Sequence, residues 1–195
     1  MDDTLRSRDS AAGWVAIVLG IVTVATIVAL LIFFIAGGPF GPINDAGNGL
    51  IGVLSAMLAA LLVRRAGHPF GVVVAVIGAV VAVSGSWMVM TGATGFVLAG
   101  FVSTIGFGLI GAWLAVVAWS PMADEWPSGL RRLARVAAAA MVIGGIAAVP
   151  SALVGIDDFA DVPAWLWLYG LGWLGTYVIY PVWSLSFGRW LTSNK

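Results

Sequence analysis

Six stretches of this sequence run for about the length of a membrane crossing with almost no charge, and no other feature restricts the fold so severely. They are Trp14 to Ile35, Ala46 to Val63, Phe70 to Met90, Gly95 to Trp119, Leu133 to Val154 and Ala164 to Phe187. Arg135, in the first turn of the fifth, is their single charged residue. A hydrocarbon core about 30 Å thick is crossed by about 20 helical residues, each rising about 1.5 Å. The pattern therefore predicts an all-α fold: a polytopic bundle of six transmembrane helices forming a single integral membrane domain over residues 1–195. The first stretch follows Arg6 and Arg8 and ends in Ala36, Gly37 and Gly38, as a cleaved leader would. It is longer than the 7–15 apolar residues of such a leader, so a retained first helix is expected.

The basic residues orient the bundle, because Lys and Arg in short loops are retained on the cytoplasmic side. With the N-terminus inside, Arg6, Arg8, Arg64, Arg65, Arg131, Arg132, Arg135, Arg189 and Lys195 all fall on one face. Asp45, Asp157, Asp158 and Asp161 fall on the other, with no Lys or Arg beside them. An odd number of crossings would break this segregation, so both termini are expected in the cytoplasm. Connections are short except Ser120 to Arg132, where Pro121 and Pro127 break helices and Trp126 is expected at the depth of the lipid headgroups. Richness in Ala, Val and Gly with one Lys suggests a bacterial origin and the cytoplasmic membrane.

Composition excludes several activities. Only 9% of residues are charged and the net charge is zero, so nothing resembles the basic footprint of a nucleic-acid binder. Cysteine is absent, which removes disulfides and thiolate chemistry. One histidine, His68 in the loop Arg64 to Pro69, cannot ligate a bis-histidine haem, and it reads as a solvated loop residue. The one lysine is the final residue, which excludes a retinal Schiff base within the bundle. The predicted spans hold no ionisable group at depth, so proton relay, carboxylate-based cation conduction and voltage sensing are not expected. Catalysis needs an acid or base within reach of a nucleophile, and no such set is visible. The chain is expected to be neither an enzyme nor a holder of a metal or cofactor.

Three features rise above this background. The segment Gly37 to Gly49 is the most polar approach to any helix, and Asn44 or Asp45 is suited to cap the free N–H groups at the start of the second helix. Its functional reading makes Asn44, Asp45 and Asn48 the polar mouth of a site open to the outside. Small residues also recur at helical spacing: Asn48, Gly52, Ser55 and Ala59; Ala75, Ala79, Ala82 and Ser86; Ala140, Gly144, Ala147 and Ser151. Such stripes let helices approach closely in lipid. The third feature is the sixth helix, where Trp165, Tyr169, Trp173 and Tyr177 follow one another at i, i+4 and reach mid-depth. Their N–H and O–H groups need partners, which Asn48 and Ser55 on the second helix or Ser103 and Thr104 on the fourth are placed to supply. Pro150 and Pro181 are expected to kink the fifth and sixth helices.

Two functions fit. The first is a packing, scaffold or accessory subunit of a membrane assembly, whose partner is a protein subunit or a second copy in the lipid bilayer. The second is a small transporter or binding protein for a lipophilic molecule, such as a lipid, quinone or isoprenoid, held in a cavity lined by Tyr169, Trp173, Tyr177, Asn48, Ser103 and Thr104.

Overall fold

Residues 3–163 and 167–193 are described by the computed structural model, and they form helices with no strand among them. The helices are α1 (Asp3–Ala36), α2 (Phe40–Ala66), α3 (Pro69–Met90), α4 (Phe96–Ala118), α5 (Ser128–Val154), α6 (Trp167–Leu174) and α7 (Tyr180–Ser193). Short 3₁₀ turns occupy Pro121–Glu125 and Phe159–Asp161, and a π-helical turn, Gly175–Ile179, joins α6 to α7. Five helices, α1 to α5, are long and apolar enough to cross a membrane. The sixth crossing is the broken rod α6–π–α7. Ala164 and Trp165, expected within it, and Lys195 lie outside the described residues.

Each helix packs on its neighbour in the chain, and the broken rod closes the bundle by packing against α5 on one side and α1 on the other. The fold is therefore that of a multi-pass α-helical bundle. Its seams take in part of the predicted stripes, with Gly52 against Ala79 and with Ala82 and Gly144 in close contacts, but they run equally through Gly106, Gly108, Gly145 and Gly172, which lie outside those stripes. A Cβ built on Gly145 would lie 2.6 Å from Gly108 Cα, and one on Gly106 2.5 Å from the Ala82 nitrogen. Gly144 and Gly172 bring α5 and α6 equally close. Without a hydrophobic effect inside lipid, this backbone-to-backbone approach supplies the dispersion contacts that hold such helices together.

The junction of α1 and α2 departs from the sequence expectation. Gly37 and Gly38 adopt φ of 66° and 74°, a left-handed conformation that glycine enters without strain, so α1 ends abruptly. Pro39, with its fixed φ, stands immediately before the first residue of α2. The second helix consequently starts at Phe40 rather than Ala46, and Asn44, Asp45 and Asn48 are buried helical residues. No side chain caps α2, so neither Asn44 nor Asp45 has the capping role expected of it. The capping carboxylate belongs instead to Asp157, which accepts from the N–H groups of Gly95 at 2.6 Å and Leu98 at 3.1 Å at the start of α4. Its charge faces the positive end of that helix dipole.

The opposite end of the bundle carries the basic residues. Arg65 bridges Asp9 at 3.2 Å and Glu125 at 2.8 Å, and Arg131 pairs with Asp124 at 2.9 Å. The Arg135 side chain donates to the Ala118 carbonyl at the C-terminal end of α4 and lies over the Trp119 ring. α5 begins at Ser128, before Leu133, so Arg131 and Arg135 occupy its first turns. Trp126 is 4% exposed, packs against Phe187 at 5.0 Å and Trp183 at 6.2 Å, and plugs this end of the core. α5 stays helical through Pro150. At Pro181 the expected kink takes the form of the preceding π-turn, in which the Tyr180 N–H reaches back to the Gly175 carbonyl. The extra residue rotates the helix so that Tyr180, Trp183 and Phe187 continue inward where Tyr177 leaves off.

Candidate functional site: a polar chamber in the bundle

All eight residues singled out by their sequence pattern line one chamber. Asn44, Asp45 and Asn48 reach it from α2, Ser103 and Thr104 from α4, and Tyr169, Trp173 and Tyr177 from the sixth crossing. Two features bring α1, α2 and α6 together here. Gly47 sits against the Thr26 side chain, which lets α2 lie close to α1, and the i, i+4 spacing stacks the three rings on one face. Tyr169 and Trp173 stand 5.8 Å apart and Trp173 and Tyr177 5.9 Å.

A chain of hydrogen bonds crosses three elements. The Tyr177 hydroxyl donates to Asn48 Oδ1 at 2.6 Å, Asn48 Nδ2 donates to Asn44 Oδ1 at 3.3 Å, and Asn44 Nδ2 donates to the Thr26 carbonyl at 3.1 Å. Asn48, one of the expected partners for the rings' polar atoms, thus meets Tyr177. Ser55, another expected partner, stands against Tyr180 at 3.0 Å rather than against the three rings. Since the Ser55 hydroxyl already donates to the Ile51 carbonyl, Tyr180 is the donor to Ser55. Tyr169 lies beside Thr104, also among the expected partners, and edge-on to Phe101 at 5.0 Å.

Sequence reasoning missed Ser86, a residue read only as part of a packing stripe. Its hydroxyl and that of Ser103 both donate to the Ala82 carbonyl, at 3.2 and 3.4 Å, and the Thr104 hydroxyl donates to the Gly100 carbonyl at 2.8 Å. The hydroxyl hydrogens of Ser86, Ser103, Thr104 and Tyr177 are therefore committed, while their oxygens keep lone pairs to offer. The signal was present in the sequence, because Ser86 stands at helical spacing from Ala82 on the same stripe.

Asp45 is the group that the sequence pattern places in a loop before the second helix and the structure places within α2, facing the inside of the bundle. It is 7% exposed, one turn and a half into α2, about 7 Å from the helix start at 1.5 Å per residue. Among the described residues neither a hydrogen bond nor an ion pair engages its carboxylate. Asp45 lies outside the predicted apolar run and joins the second helix because α2 begins earlier than that run.

The chamber is small. It leaves about 20 Å³ for the centre of a water-sized sphere, room for about one water molecule. Beside it, Phe96, Val97, Phe101, Val162, Tyr169 and Trp173 enclose a second, apolar space of about 60 Å³. A wider vestibule of about 300 Å³, lined by Phe33, Gly41, Pro42 and Met90, opens at the same end of the bundle. Asp45, Val89 and Phe96 belong to both vestibule and chamber, so the carboxylate stands at the neck between them. Among the described residues no three His, Cys, Asp or Glu gather to hold a metal ion.

Fold and site together define a multi-pass helical bundle with a buried polar chamber reached from one end. No family model, curated protein or solved structure matches the chain.

Proposed function

We propose that this is a non-enzymatic protein of a bacterial cytoplasmic membrane, with both termini inside, that takes a small polar solute into the chamber from the outer face. The observation that carries the reading is the Asp45 carboxylate, buried, without a partner, and set at the neck of a vestibule. An ionisable group inside a bundle is costly and persists where a solute or ion passes or binds. A pure scaffold needs the glycine seams but has no use for such a group. A quinone or isoprenoid needs far more room than the chamber or the apolar space beside it offers.

The orientation rests on the segregation of charge, with Arg65 and Arg131 at one end and Asp45 and Asp157 at the other. Because the chain has no cysteine, single cysteines report cleanly. In intact cells a charged, impermeant thiol reagent is expected to label Val89→Cys at the neck. It is expected to spare Val80→Cys on the lipid face and to reach Gly67→Cys only after permeabilisation. If Val89→Cys stays as unreactive as Val80→Cys, the chamber is closed to the outer face and this reading fails.

A second reading, an accessory subunit, is supported by a different surface. Between α2 and α3 an apolar groove of about 460 Å³, lined by Val53, Met57, Val76 and Val80 and floored by Ala56 and Ala60, lies on the outside of the bundle. A partner helix bound there should be retained in mild detergent and be seen as a stoichiometric protein by native mass analysis. A lipid-like molecule retained instead would favour a lipophilic ligand.

A further inference from the structure

We propose that the chamber beside Asp45 binds one dehydrated monovalent cation of about the size of sodium. The inference rests on the reading of the chamber as a solute site and names the solute.

Charge is the first argument. The chamber contains one carboxylate and no Arg, Lys or His, so its fixed charge is a single negative one. A largely buried carboxylate without a protein partner is costly even at the edge of a vestibule, and one positive charge beside it offsets that cost. An anion would double the charge. A divalent ion would leave an excess positive charge in a low-dielectric site, and magnesium in particular surrenders its water reluctantly.

Donor chemistry is the second argument. The Ser86, Ser103, Thr104 and Tyr177 hydroxyls have spent their hydrogens on the Ala82, Gly100 and Asn48 oxygens. What these groups present is oxygen lone pairs, joined by the carboxylate of Asp45. These oxygens and the carboxylate suit a hard cation, and the lining holds no imidazole or sulfur; its nitrogens are the Asn44 and Asn48 amides and the Trp173 indole, which donate and do not ligate.

Space is the third argument. Room for about one water-sized sphere admits a bare alkali ion and excludes a hydrated one or an organic ammonium. Water would be shed in the vestibule, and Asp45 at the neck meets the ion first.

The test uses the full chain purified in mild detergent, with thermal unfolding followed by tryptophan fluorescence in sodium, potassium or choline chloride at fixed ionic strength. A ligand that binds only the folded state raises the melting temperature in a saturable way. Sodium is expected to do so, potassium to follow it, since a water-sized space admits both, and choline not at all. Asp45→Asn, which keeps the side-chain shape, is expected to weaken the sodium midpoint at least tenfold. Equal responses to sodium and choline overturn the proposal. So does a stabilisation that follows pH without any dependence on sodium, since that assigns a proton to Asp45. Should Asp45→Asn fail to fold, Ser103→Ala decides: a sodium midpoint several-fold weaker supports the site, and an unchanged one overturns it. If Val89→Cys is labelled from outside but sodium has no effect, the cation is wrong and the solute chamber stands. If Val89→Cys is silent as well, both fall.

Discussion

Replacing Gly145 by alanine tests whether the glycine seams hold this bundle together. The added Cβ would stand 2.6 Å from Gly108 Cα and 3.3 Å from both the Gly108 nitrogen and the Thr104 carbonyl oxygen. All three are backbone atoms of α4, which cannot rotate aside as a side chain would. Ordinary contact begins at 3.4 Å, so α4 and α5 must part by roughly 1 Å, a gap that forfeits about a quarter to a half of each dispersion contact along the seam. Overpacking of this kind costs about 1–3 kcal/mol, and the better helix propensity of alanine returns about 1 kcal/mol. The expected net loss is up to about 2 kcal/mol. Gly170→Ala is the control. Nothing lies within 4 Å of that position, so only the propensity gain remains, and the variant should be stabilised by about 0.5–1 kcal/mol. Reversible unfolding in mixed micelles, read by tryptophan fluorescence, measures both. Opposite signs are expected. Two variants shifted in the same direction by similar amounts would refute the argument that backbone approach at Gly145 holds α4 to α5.

Two further changes probe particular contacts. Tyr177→Phe removes the donor to Asn48 while keeping the edge-on contact of its ring with Phe107, and a double-mutant cycle with Asn48→Ala should give a coupling of about 0.5–1.5 kcal/mol. A coupling indistinguishable from zero would remove the link between the sixth crossing and α2. Trp126→Ala should cost about 3–5 kcal/mol by opening a cavity against Trp183 and Phe187, whereas Trp126→Phe should cost less than about 1.5 kcal/mol. A loss below about 1 kcal/mol for the alanine variant would mean that the ring does not plug the core.

Much of the fold was legible because it depends on local quantities. An uncharged apolar run specifies a crossing by its length alone, and small residues at helical spacing specify which faces approach, as Ala82 and Gly144 do. The i, i+4 spacing of Tyr169, Trp173 and Tyr177 likewise fixes a shared face whatever surrounds it. The polar residues of Gly37 to Gly49 were misread for a physical reason. Asn, Asp and Gly resemble a loop when only chain neighbours are counted, yet they are helical here because α1 lies against Gly47 and accepts the Asn44 amide through Thr26. The cap on α4 could not be read either, since Asp157 lies 62 residues from Gly95 in the chain. By itself, then, the sequence determined an all-helical membrane bundle, its packing stripes and the residues that would gather at a site. Tertiary structure alone decided that Asp45 stands inside the bundle at the neck of a chamber. Whether a carboxylate caps a helix, meets water or faces a ring of hydroxyl oxygens depends on which distant helices close around it.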